Sequence, residues 1–248
     1  VRGPLNVPPS PQGEPVMVQA GSSEDGRELA AETAEVVFGI HQTLEGAQGF
    51  YADVKARMAA YGRHPGALKI MPGLMVYVGH DKEAAAEKFE MMQDLIDDRT
   101  GIEFLSNRMD FDFSGHDPDG PVPDIEFDNI SSSRGQLYLD VARREDLTIR
   151  GLWRRVAGAR GHMQIVGSPV EVVDFMEEWF TGQACDGFNI MPPLFPHDLR
   201  DFNELVVPEL QRRGLFRTAY EGTTLRENLG LTRPAWPSGK TGAAKAAE

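Results

Sequence analysis

The chain has one cysteine, Cys185, so no internal disulfide can staple it, and no Cys/His spacing matches a zinc site. No apolar run approaches the roughly 20 residues that cross a bilayer. The N-terminus, with Arg2, Pro4, Pro8, Pro9 and Pro11, lacks a hydrophobic signal core. Positive charge is scarce as well: 25 Lys and Arg stand against 38 Asp and Glu, a net charge of −13. Nucleic acids and anionic membranes both demand clustered cations to displace counterions, so neither is expected as a partner. Also missing are a G-x-G-x-x-G after a strand, a complete phosphate loop, an H-E-x-x-H pair and a G-x-S-x-G elbow. The "SGKTG" of the tail follows no strand and is discounted. What these absences leave is a cytoplasmic globular protein without a metal site, in which Cys185 reads as a small buried hydrophobe. The chain opens on Val1 and a proline-rich connector, which suggests that something came before it.

What is present is enough core for one large domain or two small ones, with 41% apolar residues among 248. Short apolar runs alternate with helical patterns, the signature of βα units around a parallel sheet. "PVMVQAG" (15–21) leads to a helix from Glu24 to Ala34 with Leu29, Ala30, Thr33 and Ala34 on one face. "EVVFG" (35–39) leads to a helix from Leu44 to Tyr61 with Phe50, Val54 and Met58 as a core stripe. "LKIMPGLMVYVG" (68–79) leads to a helix from Asp81 to Ile96 that carries Ala84, Phe89, Met92 and Leu95. The fourth unit lies far downstream, where "CDGFNIM" (185–191) precedes a helical pattern over 197–214 that Pro208 should break near Val207.

Between the third and fourth units the alternation stops. A Pro/Gly/Asp-rich loop (110–129) is followed by helices near 133–144 and 148–157, and loops of that length are usually lids or binding segments. "VGSPVEVVDFMEEWF" (166–180) holds the clearest helix start, with Ser168 as N-cap, Pro169 as first residue and Glu171 as reciprocal acceptor; Val172, Val173, Met176 and Phe180 should face inward. Four strands could form a small open doubly wound sheet but cannot close a (β/α)8 barrel.

"AGSSEDG" (20–26) has the strand, small turn and helix start at which free amides and a helix dipole meet a phosphate. Gly21 lets the backbone come close, and Ser22 and Ser23 add hydroxyls. The same residues also suit a simple N-cap, and Glu24 and Asp25 would repel a dianion. The residues alone leave the two readings open. Of the six histidines, His162 and His197 lie beside strand ends, where acid–base groups of a barrel enzyme would sit, yet a surface or hydrogen-bonded structural role is the more ordinary reading of each. The acidic run 117–128 lacks the spacing of a calcium loop. No residue is singled out as catalytic.

Four segments in register, "RGPLNVPPSPQGEPVMVQAGSSEDGRELAAETAEVVF", "VGSPVEVVDFMEEWF", "DGFNIMPP" and "VVPELQRRGLFRTAYEGTTLRENLGL", resemble the nitrilotriacetate monooxygenase group of the bacterial-luciferase-like flavin monooxygenases. Relatives in that group act on aminopolycarboxylates, dibenzothiophene sulfone, long-chain alkanes and a pristinamycin precursor. The resemblance runs from Arg2 to about Leu231 and implies an α/β protein with a luciferase-like (β/α)8 TIM barrel. This chain would supply its C-terminal half: strand 5 (Pro15–Ala20), strand 6 (Glu35–Phe38), strand 7 (Leu74–Val78) and strand 8 (Asp186–Ile190). It would carry a helical insertion or lid (100–160) between strands 7 and 8, and a flexible tail (232–248). The resemblance further implies an FMNH2-dependent, two-component monooxygenase that inserts one atom of O2 into a small organic substrate through a flavin C4a-(hydro)peroxide. Its reduced FMN would come from a separate NADH:FMN reductase, and the enzyme would be a homodimer or homo-oligomer. It assigns Gly21, Ser22 and Ser23 to the FMN phosphate and Asn189 to the barrel mouth. Two alternatives stand beside it: a truncated half-barrel that binds no flavin and serves as an assembly module, and a deazaflavin-dependent oxidoreductase of the same superfamily.

Overall fold

The computed structural model describes residues 8–127 and 133–234. Most of the expected tail, 235–248, and Ser131 and Ser132 of the loop lie outside the described residues. In chain order the elements are β1 (Val18–Gln19), α1 (Glu24–Thr33), β2 (Val36–Val37), α2 (Leu44–Arg57), β3 (Lys69–Ile70), β4 (Gly73–Val78), α3 (Lys82–Asp94) and α4 (Asp98–Met109). They continue with α5 (Ser133–Glu145), α6 (Ile149–Val156), β5 (Met163–Gly167), α7 (Pro169–Thr181), β6 (Asn189–Met191), α8 (His197–Asp201), α9 (Val207–Arg212) and α10 (Leu225–Asn228).

The βα alternation is present, but with strands in two three-stranded sheets, ordered β1-β2-β3 and β5-β4-β6. The first two strands are shorter than expected, Val18–Gln19 and Val36–Val37, the helix expected to reach Tyr61 ends at Arg57, and three further differences have identifiable causes. "LKIMPGLMVYVG" is two strands, because Pro72 has no N–H to give a ladder. Strand 8 begins at Asn189 rather than Asp186, because the Asp186 carboxylate takes the Ile70 N–H (2.8 Å) that a strand carbonyl would accept. Between strands 7 and 8, just after the segment read as a helical insertion (100–160), the chain adds β5, a parallel strand hydrogen-bonded to β4 from Leu74↔Met163 to Val78↔Gly167. The described residues form two compact units, one within 1–37, 54–69 and 218–248, the other within 38–53 and 70–217.

In the first unit β1 and β2 pair in parallel, Val18 opposite Val36. Helix α1 buries Ala30 and Ala31, with Ala34 just beyond it, while Leu29 and Thr33, expected on the same face, are exposed. Arg63 closes the C-terminal end of α1. Its guanidinium donates to the carbonyls of Ala31 (2.7 Å) and Ala34 (2.5 Å), which have no intrahelical partner. Beneath this lies a buried ion pair: Arg226, 1% exposed, donates to both carboxylate oxygens of Glu35 and to the carbonyls of Glu14 and Pro15, both at 3.2 Å.

In the second unit the two faces of β4 divide the packing, as the period of two requires. Leu74, Val76 and Val78 share one core with Val172, Val173, Met176, Trp179 and Cys185, and burial pushes the Cys185 thiol up to about 12. Met75 and Tyr77, on the other face, meet Phe89 and Met92 of α3. The Ser168–Glu171 capping box forms as expected with Pro169 at the first turn. One inward residue differs: Trp179 is 3% exposed and Phe180, its neighbour, 50%. Likewise Leu95 stands exposed at the C-cap of α3. The break expected at Pro208 is a π turn over Phe202–Val206, closed by Val207 N–H donating to Phe202 O, since Pro208 has no N–H for Glu204. Helix α4 was not expected. It starts at Asp97, whose carboxylate accepts from Thr100 N–H (2.8 Å), and packs Leu105 and Met109 with Tyr138 and Trp153 of α5 and α6 in a core of its own.

Removing the capping hydroxyl with Ser168→Ala should cost about 1 kcal/mol, the usual worth of an N-cap. Urea denaturation is expected to show that loss in the midpoint with the slope unchanged.

Candidate functional site

The β1–α1 turn is built by two glycines. A Cβ on Gly26 would lie 3.1 Å from the Gly21 carbonyl carbon and 3.2 Å from its Cα, so a side chain there would push the first turn of α1 away from the end of β1. Ser23 is the N-cap, its hydroxyl accepting from Gly26 N–H at 3.2 Å. Gly21 N–H donates to the Gln19 side chain (3.0 Å), and Arg27 Nε donates to Ser22 O (3.0 Å). Ser22 and Ser23 are exposed. In a helix start the amides of the first turn have no intrahelical acceptor, which here applies to those of Glu24 and Asp25, the residues that follow Ser22 and Ser23. The repulsion expected from Glu24 is partly offset, because Arg57 lies 2.7 Å from its carboxylate, although the same guanidinium is shared with Glu28 at 2.9 Å. The turn thus joins Gly21, Ser22 and Ser23 as expected, but splits the serines: Ser23 holds the fold, and Ser22 is available.

Asn189 belongs to the second unit and is described there. Register places it opposite Gly73, at the first position of β6. His162 stands at the N-terminal entry of β5, level with Gly73 and packed on it. A Cβ on Gly73 would run into the His162 ring and lie 2.9 Å from Met191 Sδ. The imidazole stacks on Phe38 with centroids 4.9 Å apart, is 6% exposed, and has no partner for Nδ1 among the described residues. Burial lowers its pKa and the nearby charge of Arg134 adds to this, which favours a neutral ring. Gln164 shares the face, its amide donating to Arg155 O while its Oε1 is unpartnered among the described residues. His197 is not part of this group; it is exposed at the start of α8.

At the other end of β4, Lys88 Nζ donates to Val78 O (2.8 Å) and Asp201 (2.7 Å) and pairs with buried Asp198 (3.2 Å). Burial pulls the Lys88 pKa down, but the two carboxylates outweigh it and the value is raised. These charges satisfy one another and fasten α3 to α8. No spacing in the sequence announces them, since residues 88, 198 and 201 meet only through the fold.

The luciferase-like monooxygenase family model matches residues 1–184. The chain belongs to this family. It is 52% identical over 236 residues to nitrilotriacetate monooxygenase component A of Aminobacter aminovorans, a match that covers 94% of this chain and 52% of that protein. Among solved luciferase-like structures, EDTA monooxygenase from Chelativorans sp. BNC1 superposes with a TM-score of 0.76 at 33% identity, over 93% of this chain and 52% of that one. A riboflavin lyase solved with modified FMN and riboflavin gives a TM-score of 0.70 at 29% identity, over 91% of this chain and 49% of that one. The chain therefore spans about half the length of the proteins it matches. No helix among the described residues is long and apolar enough to cross a membrane.

Proposed function

We propose that the chain forms the phosphate-binding part of a two-component, FMNH2-dependent monooxygenase that transfers one oxygen atom of O2 to a small organic substrate. A separate NADH:FMN reductase supplies the reduced flavin. The observation that carries this reading is the β1–α1 turn. Its two glycines bring the backbone close, Ser22 is exposed beside the first-turn amides, and Arg57 holds the nearest acidic side chain. These residues fit a flavin phosphate: Ser22 and the first-turn amides of α1 would hold it, and Ser23 would keep the turn in shape through Gly26.

Reduced FMN, when bound, supplies the activation of oxygen. The chain's own part is to anchor the phosphate, exclude water and present the substrate. In this reading β1, β2, β4 and β6 are the counterparts of strands 5 to 8 of a (β/α)8 barrel, and the relatives' greater length supports that correspondence.

The test is an FMN titration, by flavin fluorescence, of this chain co-expressed with the N-terminal half of the Aminobacter aminovorans relative. Hydrogen bonds to a charged group contribute about 1.5–3 kcal/mol, so Ser22→Ala with Ser23→Ala should weaken FMN binding about 10-fold or more. Unchanged affinity would remove the phosphate assignment.

A further inference from the structure

Helices α4, α5 and α6 pack in a core of their own, and the chain returns from them to the sheet through residues 157–162. That return is a tight turn. Arg160 and Gly161 both have positive φ, 53° and 87°, and His162 N–H donates to Ala159 O at 2.9 Å. Arg160 carries its side chain in the left-handed region, a conformation that persists where the surroundings hold it. The Gln42 side chain donates to the Gly161 carbonyl, and the His162 ring is pressed onto Phe38 and Gly73, with Met191 Sδ on the same side. Directly after this ring, Met163 opens the ladder with Leu74.

The seat suits a neutral imidazole. The ring is 6% exposed, and Nδ1 faces Gly73 with no partner among the described residues. An added proton makes both ring nitrogens donors and buries a charge, and neither change is met by an acceptor at Nδ1. The nearest charge works the same way, because Arg134 of α5 acts on the ring and disfavours a second cation beside it. The other charged or titratable groups on the surrounding elements are Arg160 in the turn, Arg155 of α6, Tyr138 of α5, Tyr77 of β4 and His41. The Glu145 carboxylate of α5 is taken by Arg144 (2.9 Å) and Arg155 (3.0 Å). Among the described residues no anion acts on His162.

We propose that His162 is an acid-sensitive latch: neutral, it fastens the return of the helical insertion to the sheet, and protonated, it leaves its seat and frays the β5–β4 ladder from the Met163 end. The proton comes from solvent, and the repulsion it creates is directed at α5 through Arg134. Unfolded, the imidazole takes up its proton around the ordinary 6.5, and folded, burial and Arg134 push that lower. The unfolded chain therefore binds more protons in this window. The latch is complete above 6.5, and its stabilisation is lost as pH falls from there toward the folded value.

Hydrogen exchange of the full chain from about pH 7.5 to about pH 5, corrected for intrinsic exchange, tests this. Protection of the β5 amides should fall by up to about 10-fold per pH unit below the ordinary histidine value, while that of Val172 and Val173 in α7 stays level. His162→Phe, which keeps a ring on Phe38, and His162→Gln, which keeps a neutral polar group, should each flatten the β5 profile. Arg134→Gln changes an exposed position, leaves the seat intact and should shrink the loss. His197→Gln, at an exposed histidine, should leave the profile as in wild type. The proposal is overturned if wild-type β5 keeps its protection on acidification, if the loss is undiminished in the His162 variants or in Arg134→Gln, or if α7 and β5 lose protection together.

Discussion

Arg226→Ala is expected to destabilise the chain by about 3–5 kcal/mol, the cost of removing one partner from a buried ion pair. On a chain of this size that corresponds to a fall in Tm on the order of 10 °C. The guanidinium is the shared donor for four acceptors far apart in sequence: Glu35, Glu14, Pro15 and, at 3.3 Å, Thr232. Without it the Glu35 carboxylate would stay partly buried with the Met17 N–H, at 3.0 Å, and the charge of Arg63 to compensate. The pair also has a pH signature. Burial raises the Glu35 pKa, but the hydrogen bonds from Arg226 and Met17 and the charges of Arg226 and Arg63 outweigh it, so the folded value lies below the ordinary 4.5. Stability from this carboxylate is therefore complete above the unfolded pKa and lost as pH falls through the lower folded value. Thermal denaturation across the acid range should show that loss in wild type and a much weaker slope in Arg226→Ala. Equal Tm values for the two proteins would contradict the role given to Arg226.

Trp153→Ala should cost a similar amount, about 3–5 kcal/mol, through the transfer and cavity terms of a large buried aromatic. Trp153 is the largest fully buried side chain among the described residues and belongs to the core of α4, α5 and α6, with Arg150 5.3 Å above its ring. Gly101 of α4 lies directly against it; a Cβ there would be 2.5 Å from Trp153 Cε2. Gly101→Ala should thus cost about 1–3 kcal/mol by overpacking. If the contact is what sets the cost, Gly101→Ala should be less harmful in a Trp153→Phe background than in wild type, and a double-mutant cycle in urea measures the coupling. Purely additive effects would show that the two residues do not press on each other.

Parts of this structure could be read from the sequence because they are decided locally. The Ser168–Glu171 capping box, the break before Pro208 and the Phe50, Val54, Met58 stripe each depend on residues within two helical turns. Other features could not be read this way. Trp179 and Phe180 are both apolar and 100° apart on α7, and only packing on the sheet chooses between them. Strand β5 is five residues long and owes its state to β4, far away in sequence. At the candidate site, the turn and its serines were legible, but the division of labour between them was not. It follows from Gly26, three residues after Ser23, which lies close against Gly21 and gives the Ser23 hydroxyl the N–H it accepts from.

The central claim, that the β1–α1 turn holds a flavin phosphate, is tested most directly by comparing FMN with riboflavin, which lacks the phosphate, on the co-expressed complex. The account predicts that wild type prefers FMN by about 10-fold or more, and that Ser22→Ala with Ser23→Ala removes the preference by weakening FMN while leaving riboflavin unchanged. Equal affinity for the two flavins in wild type, or a parallel loss of both in the variant, would contradict it.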